Sequence, residues 1–132
     1  MTAARVFRIL LEVADIERAT RFYAELLGDP GRRVHGGRHY FDCGDLILGL
    51  VDVAPSNRVP HPAPQAVYFA VADLEGSYRR AETAGALSPE RVHGEPAGKI
   101  VERPWGERSF YAVDPFGNPL CFVDQKTLFT GR

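Results

Sequence analysis

The side chains here that can bind a metal or attack a substrate are four histidines, two cysteines and a few well-placed charges. His35 and His39 flank Gly36-Gly37, so a hairpin would bring them face to face, a spacing that can chelate zinc weakly. Exposed turn and edge-strand histidines are the plainer reading, and His61 and His93 stand alone in turn-rich stretches. Cys43 and Cys121 lie far apart, without the CxxC spacing of a zinc or redox pair. Cys121 becomes a nucleophile only if a neighbour lowers its thiol pKa. Arg8 can do so if both face one cavity; otherwise Cys121 is a small apolar filler. Ser56, Ser77, Ser88 and Ser109 sit in no GxSxG setting and have no evident histidine partner. Glu12 can act as a base if burial raises its pKa, or it can simply hydrogen-bond within the fold. Arg8 can grip a ligand carboxylate or phosphate in forked geometry, or neutralise Glu12. Trp105, the only tryptophan, can stack a planar ligand or pack in a core or interface.

Charge narrows the partners. The chain's 16 basic and 17 acidic residues leave a net charge of −1, without the broad basic field of a nucleic-acid binder. Arg32, Arg33 and Arg38 thicken locally, but acidic residues are interspersed, which suits a solvated surface. Apolar residues at 45% and charged residues at 25% are ordinary for a globular chain. No apolar run approaches the roughly 18 residues of a membrane span. Glu12 interrupts the apolar run near the start and no small-residue cleavage site follows, so no signal peptide is expected. The expectation is a cytoplasmic protein with reduced thiols and no membrane or nucleic-acid partner.

These groups need elements to hold them, and the chain announces its elements twice. VADIE at 13–17 returns as VADLE at 71–75. Before the first copy, residues 5–13 are rich in β-branched and apolar types and predict a strand. Asp15 then caps a helix whose apolar stripe is Ile16, Ala19, Phe22, Tyr23, Leu26 and Leu27, ended by Gly28. Strands follow at about 32–35 and 38–42 around Gly36-Gly37, and at 46–51 after the turn at Cys43-Gly44-Asp45. The second copy repeats the order: a strand at 65–71, the Asp73 cap, and a helix over 74–84 ending at Gly85. Further strands are expected near 99–103, 107–113 and 119–124, the last two joined by the Asp114-Pro115-Phe116-Gly117-Asn118 turn. Between the copies, 53–64 holds four prolines and suits an extended or mobile linker. The turn-rich segment 86–98 suits a loop over a cavity. The chain is therefore expected to be one domain over 1–132, with βαβββ modules at 5–52 and 65–126.

A paired βαβββ chain that opens with DIERATRFYAELLG and ends in RPWGERSFYAVDPFGNPLCFVD resembles the vicinal-oxygen-chelate superfamily. That group holds glyoxalase I, extradiol dioxygenases, fosfomycin-resistance enzymes and bleomycin-resistance proteins. The resemblance covers about 5–126. It implies an α+β fold in which tandem βαβββ modules form a curved mixed sheet around a cavity, in a homodimer. In the metal-dependent members, ligands come from the first and last strands of each module. The first-strand ligand usually stands seven residues before the capping aspartate, which points to Arg8 and Ala66. The last-strand position, three past the Gly-Asn turn, is Cys121, and its counterpart after Gly44-Asp45 is Leu48. Arginine stays protonated, and leucine and alanine offer no donor, so no metal and no cofactor are expected.

Strand alternation extends the list. If Arg8 points inward, so do Leu10 and Glu12, and the same parity takes Ala66, Tyr68 and Ala70 with Leu46, Leu48 and Leu50 and with Pro119, Cys121 and Val123. The candidate ligand-binding set is therefore Arg8, Leu10, Glu12, Leu48, Leu50, Tyr68, Trp105 and Cys121. Its mostly apolar character suits a small-molecule pocket. The resemblance then implies metal-independent binding, including sequestration, of a small organic molecule, as in the bleomycin-resistance-like branch. The alternative is a lyase, transferase or dioxygenase of the same superfamily with a metal-free or non-standard site.

Overall fold

Asp15 and Asp73 both cap helices, as the repeat implies. The Asp15 carboxylate accepts the Arg18 amide at 3.1 Å, and the Asp73 carboxylate accepts the Gly76 amide at 3.0 Å. Each bond satisfies one of the N–H groups that a helix start leaves without an intrahelical acceptor. These contacts come from a computed structural model that describes residues 3–132. The chain divides into two compact units, Met1–Pro62 and Ala63–Arg132.

In the first unit, β1 (Arg8–Val13) leads into α1 (Ile16–Leu27), then β2 (Arg32–Val34), β3 (Arg38–Cys43) and β4 (Leu46–Asp52). The sheet order is β1-β4-β3-β2, with β1 parallel to β4 and the other pairs antiparallel. One face of α1 carries Ala19, Tyr23 and Leu26, all buried, and the sheet answers with Leu11, Val13, Phe41, Leu48 and Leu50. Gly28 ends the helix at φ 69°, a left-handed conformation that glycine adopts without a Cβ penalty. The opposite face of the sheet is open, and there Gly49 has a steric role. A Cβ at Gly49 would lie 2.6 Å from Leu10 Cδ2 and 2.9 Å from Tyr40 Cε1, so only glycine lets those two side chains meet across the strand.

The proline-rich segment after β4 is tied down at both ends of a short stretch. Ala54–Ser56 forms one 3-10 turn. Glu12 then accepts Arg58 Nη2 at 2.9 Å and the His61 amide at 2.9 Å. The four prolines limit the backbone conformations, and the Glu12 carboxylate anchors the segment beside β1.

In the second unit, β5 (Val67–Val71) and α2 (Leu74–Thr83) precede β6 (Arg91–Val92), β7 (Glu95–Pro96), β8 (Val101–Glu102), β9 (Arg108–Val113) and β10 (Pro119–Asp124). Four strands form a sheet in the order β5-β10-β9-β8, with β5 parallel to β10, while β6 and β7 form a separate ribbon. That ribbon occupies the segment expected to be a loop. Behind the sheet, α2 buries Leu74, Ser77 and Ala81, and Tyr78 meets Phe110 edge-on at 5.3 Å. Phe110 stacks on Phe122 at 5.2 Å, and Phe122 stacks on Phe69 at 5.1 Å.

The β9–β10 turn is held more by side chains than by its proline and glycine. Asp114 Oδ1 accepts the amides of Phe116 and Asn118, both at 2.8 Å. Asn118 Nδ2 donates to Asp114 Oδ2 at 2.8 Å, and Asn118 Oδ1 accepts the Ala63 amide at 2.9 Å. Among the described residues, two helices and two open four-stranded mixed sheets make the fold α+β, as the element order implies. Among the described residues no helix is long and apolar enough to cross a membrane.

Candidate functional site

The strand order in the second unit decides which side chains share a face. Cys121 lies opposite Tyr68 on β5 and Tyr111 on β9, and Val123 lies opposite Ala70 and Ser109. The alternate positions Phe69, Phe110 and Phe122 stack with one another on the α2 side. Tyr68, Ala70, Ser109, Tyr111, Cys121 and Val123 therefore face away from the helix. The Tyr68 and Tyr111 hydroxyls stand 3.4 Å apart, and their rings meet edge-on at 6.3 Å.

Against this face lies a buried cation. Arg103 follows β8 and is 2% exposed. Its Nε donates to Ser109 Oγ at 3.0 Å, and its Nη2 donates to the Ser109 carbonyl at 3.1 Å. Longer contacts of 3.4 Å run from Nη2 to the carbonyls of Ala97 and Lys99. Its Cζ sits 5.2 Å from the centre of the Tyr111 ring, within cation–π range. The remaining nitrogen, Nη1, is buried and meets no hydrogen-bond partner. None of the ion pairs among the described residues includes Arg103.

This setting acts on its titratable neighbours in opposite ways. Burial pushes the Cys121 thiol up to about 11, although hydrogen bonds from Ser109 and Tyr111 and the Arg103 charge pull it back. Burial also raises the Tyr111 phenol, helped by its hydrogen bond to Tyr68. Cys121 is thus a thiol and Tyr111 a neutral donor throughout the physiological range.

Two cavities flank the tyrosine pair. One, of about 410 Å³, is walled by Pro89, Val92, Ala97, Val113 and Pro119, with Tyr111 and Glu90 supplying polar groups. The other, also about 410 Å³, is walled by Tyr68, Trp105, Glu107, Val123, Leu128 and Phe129. Its rim is fixed by Glu107, whose Oε1 accepts Trp105 Nε1 at 2.7 Å and whose Oε2 accepts the Phe129 amide at 2.9 Å. Trp105 also meets the His93 ring at 5.1 Å, which links it to the turn of the β6–β7 ribbon.

The expected site residues fall into three groups. Tyr68, Trp105 and Cys121 come together around the second sheet's open face. Arg8, Leu10 and Glu12 share the open face of the first sheet, as alternation requires, and line neither cavity. Arg8 is exposed, with its Cζ 4.8 Å from the Phe7 ring centre and 5.8 Å from that of Tyr40. Glu12 is held by Arg58, and that hydrogen bond keeps its carboxyl below the usual range, the opposite of what a general base needs. Leu48 and Leu50 form the third group, fully buried on the α1 side with Leu11 and Val13. Arg8 lies opposite Ile47 and Leu10 opposite Gly49, so the residues sharing the Arg8 face are Ile47, Gly49 and Val51, not Leu46, Leu48 and Leu50.

The two hairpins explain that correction. Cys43 pairs directly with Leu46 across the two-residue Gly44-Asp45 turn, whereas Val113 pairs with Pro119 across five residues. Counting from the turns therefore slips by one position, and one position reverses the face. The counterpart of Cys121 is Gly49. His39 also departs from expectation. It is buried, its Nε2 lies 2.8 Å from the Pro30 carbonyl, and its Nδ1 accepts from Arg33 Nε at 3.3 Å.

The resemblance places metal ligands on the first and last strands of each module. The strand positions hold Arg8, Gly49, Ala66 and Cys121, and among the described residues no three of His, Cys, Asp or Glu gather closely enough to hold an ion. The sequence expectations did not single out Tyr111, Arg103 or Glu107, and took Ser109 only as a serine without a histidine partner. Tyr111 was within reach, since a five-residue turn closing Val113 on Pro119 sets it opposite Cys121. Nothing in the spacing marked Arg103.

Comparison with known proteins agrees with this architecture. Oxidase ChaP-H1 matches at a TM-score of 0.76 with 22% identity, over 98% of this chain and 100% of the other. A glyoxalase/bleomycin resistance protein from Albidiferax ferrireducens T118 matches at 0.73 with 18% identity, over 89% and 95%. Lactoylglutathione lyase from Agrobacterium tumefaciens matches at 0.63 with 22% identity, over 96% and 97%. At these identities the likeness concerns the fold. No curated protein matches. The sequence pattern of one family covers residues 5–122, and the chain belongs to it: the Glyoxalase/Bleomycin resistance protein/Dioxygenase superfamily.

Proposed function

We propose that this chain binds a small organic molecule without a metal ion, against the open face of the second sheet. The observation that carries this reading is the cavity of about 410 Å³ beside Tyr111, apolar on most sides with a hydroxyl and a carboxylate at its wall. Mostly apolar walls with a few polar groups are the usual character of small-molecule sites. The strand positions that carry ligands in metal-dependent members hold Arg8, Gly49, Ala66 and Cys121, which favours binding by shape and hydrogen bonding. Sequestration of a harmful compound by a pair of copies in the cytoplasm is the form that the resemblance suggests.

Turnover is the competing reading, because two of the similar structures carry enzyme names, an oxidase and a lactoylglutathione lyase. Against it, burial keeps Cys121 protonated and Arg58 lowers the basicity of Glu12, so the nucleophile and base that the sequence offered are both weak.

Untagged protein analysed for zinc, iron, nickel and manganese tests the metal, and stoichiometric metal in it overturns the reading. A panel of planar aromatic compounds followed through Trp105 emission and the melting temperature tests the binding. At least one compound should shift both, and silence across the panel counts against a working cavity. Sedimentation velocity checks the pairing of copies, with a single monomer species as the contrary result.

A further inference from the structure

Resting on that reading, we infer that the ligand carries an anionic oxygen group, a carboxylate or an equivalent oxyanion, that pairs with the Arg103 guanidinium behind the Ala97 and Tyr111 wall of the cavity. Two independent features meet there. The first is the unsatisfied nitrogen: Arg103 is 2% exposed and its Nη1 has no acceptor. An isolated buried cation is costly, and a buried charge without a partner costs several kcal/mol in effective terms. Native proteins rarely leave such a donor unpaired without a functional reason. The second feature is the cavity, whose wall includes Ala97 and Tyr111. Ala97 gives its carbonyl to Arg103 Nη2, and the Tyr111 ring covers Arg103 Cζ at 5.2 Å.

The acids nearby do not satisfy this cation. Glu107 is committed through both oxygens, to Trp105 Nε1 and to the Phe129 amide. Glu90 stands on the cavity wall but is exposed, so water screens it, while the guanidinium behind the wall is desolvated. Cys121 stays a thiol and supplies no counter-charge. The Tyr111 ring beside Arg103 Cζ is lightly held, because its 3.4 Å bond to the Tyr68 hydroxyl is at the long limit of a hydrogen bond. A turn of the Tyr111 ring lets a ligand oxygen reach Nη1, while the Tyr111 hydroxyl donates a second hydrogen bond. Ser109 keeps Nε and Nη2 occupied, so the fork is already oriented and loses little freedom on binding.

Isothermal titration with 2-naphthoate, 2-naphthamide and 2-naphthylmethylamine tests this, since the three share one aromatic body. The carboxylate should bind at least about ten-fold more tightly than the amide, with the amine weakest. In Arg103→Met that ratio should fall towards one while the amide affinity holds, a change that a purely structural role would not produce. Near-UV circular dichroism reports whether that variant folds. If it does not, Arg103→Lys takes its place and should keep a carboxylate preference smaller than the wild type's. Equal or tighter binding of the amide by the wild type overturns the anion assignment alone. A full ten-fold preference surviving in Arg103→Met does the same. Binding of none of the three, with silence across the wider panel, overturns the small-molecule reading along with it.

Discussion

Glu107 accepts the indole N–H of Trp105 at 2.7 Å, and that bond decides how the chain's end is held. The same carboxylate takes the Phe129 amide, so one side chain fixes both the tryptophan and the tail beside it. Glu107→Ala leaves two donors without their acceptor and should cost about 1.5–3 kcal/mol, the range for hydrogen bonds to a charged group. Glu107→Gln keeps one acceptor oxygen and should cost about half as much. Urea denaturation measures the loss, and Trp105 emission should move to longer wavelength in the alanine variant as the indole meets water.

The first sheet's two faces predict opposite outcomes for two leucines on adjacent strands. Leu48→Ala empties a fully buried position under α1 and should cost about 2–5 kcal/mol. Leu10 is 44% exposed, and Leu10→Ala should cost less than about 1 kcal/mol. Thermal melts of the two variants compare them directly. Similar losses at both sites would mean that the register between β1 and β4 is misassigned.

Alkaline pH should weaken the fold through Cys121. Its folded pKa of about 11 stands above the ordinary thiol value of 9.0, so the folded state holds its proton longer than the unfolded state does. Stability is therefore complete below pH 9 and falls as pH rises towards 11. At roughly 1.4 kcal/mol per pH unit over about two units of displacement, the loss is of order 3 kcal/mol. Cys121→Ala should flatten that fall, leaving a remainder from Tyr111, whose phenol is shifted in the same direction. Iodoacetamide at neutral pH should label the half-buried Cys43 well before Cys121, as read by peptide mass spectrometry.

Asn118 joins its turn to the start of the second unit. Asn118→Ala removes the bond to Asp114 and the acceptor for the Ala63 amide, and with Asp114 buried and the Ala63 amide partly so it should cost about 2–3 kcal/mol. Asn118→Asp keeps an acceptor for Ala63 but sets a carboxylate against Asp114, so it should not rescue the alanine variant at pH 7. Urea denaturation at pH 7 compares the two variants.

Much of the architecture was legible because local signals repeat. The two capping aspartates, Gly28 and the period of the α1 stripe each depend on a few neighbouring residues, and the structure places them as the sequence implies. The α2 side of the second sheet and the alternation of Tyr68 with Cys121 were legible for the same reason. Leu48 and Leu50 were not, since their facing depends on how many residues the Gly44-Asp45 turn spends outside the ladder. A duplicated chain invites the assumption that both hairpins spend the same number. Arg103 was not legible either, because its role comes from Ser109 on the next strand and from carbonyls of the preceding loop. His39 looked like an edge-strand residue, but it is buried by a partner in the Pro30 turn and another on β2.

The parallel pairings set an order of events during synthesis. In each unit the first strand's partner is the last strand, Arg8 beside Ile47 and Val67 beside Leu120. The opening strand of each unit therefore emerges with one edge open and waits for the whole module before it is closed. Non-local pairing of this kind slows folding, and an open strand edge is a point of association between chains. The first unit can complete its sheet once Asp52 has left the ribosome, while β5 must wait until β10 is nearly finished. A nascent chain stalled between these two points carries one closed sheet and one sticky strand, and that interval is where a chaperone has most to protect.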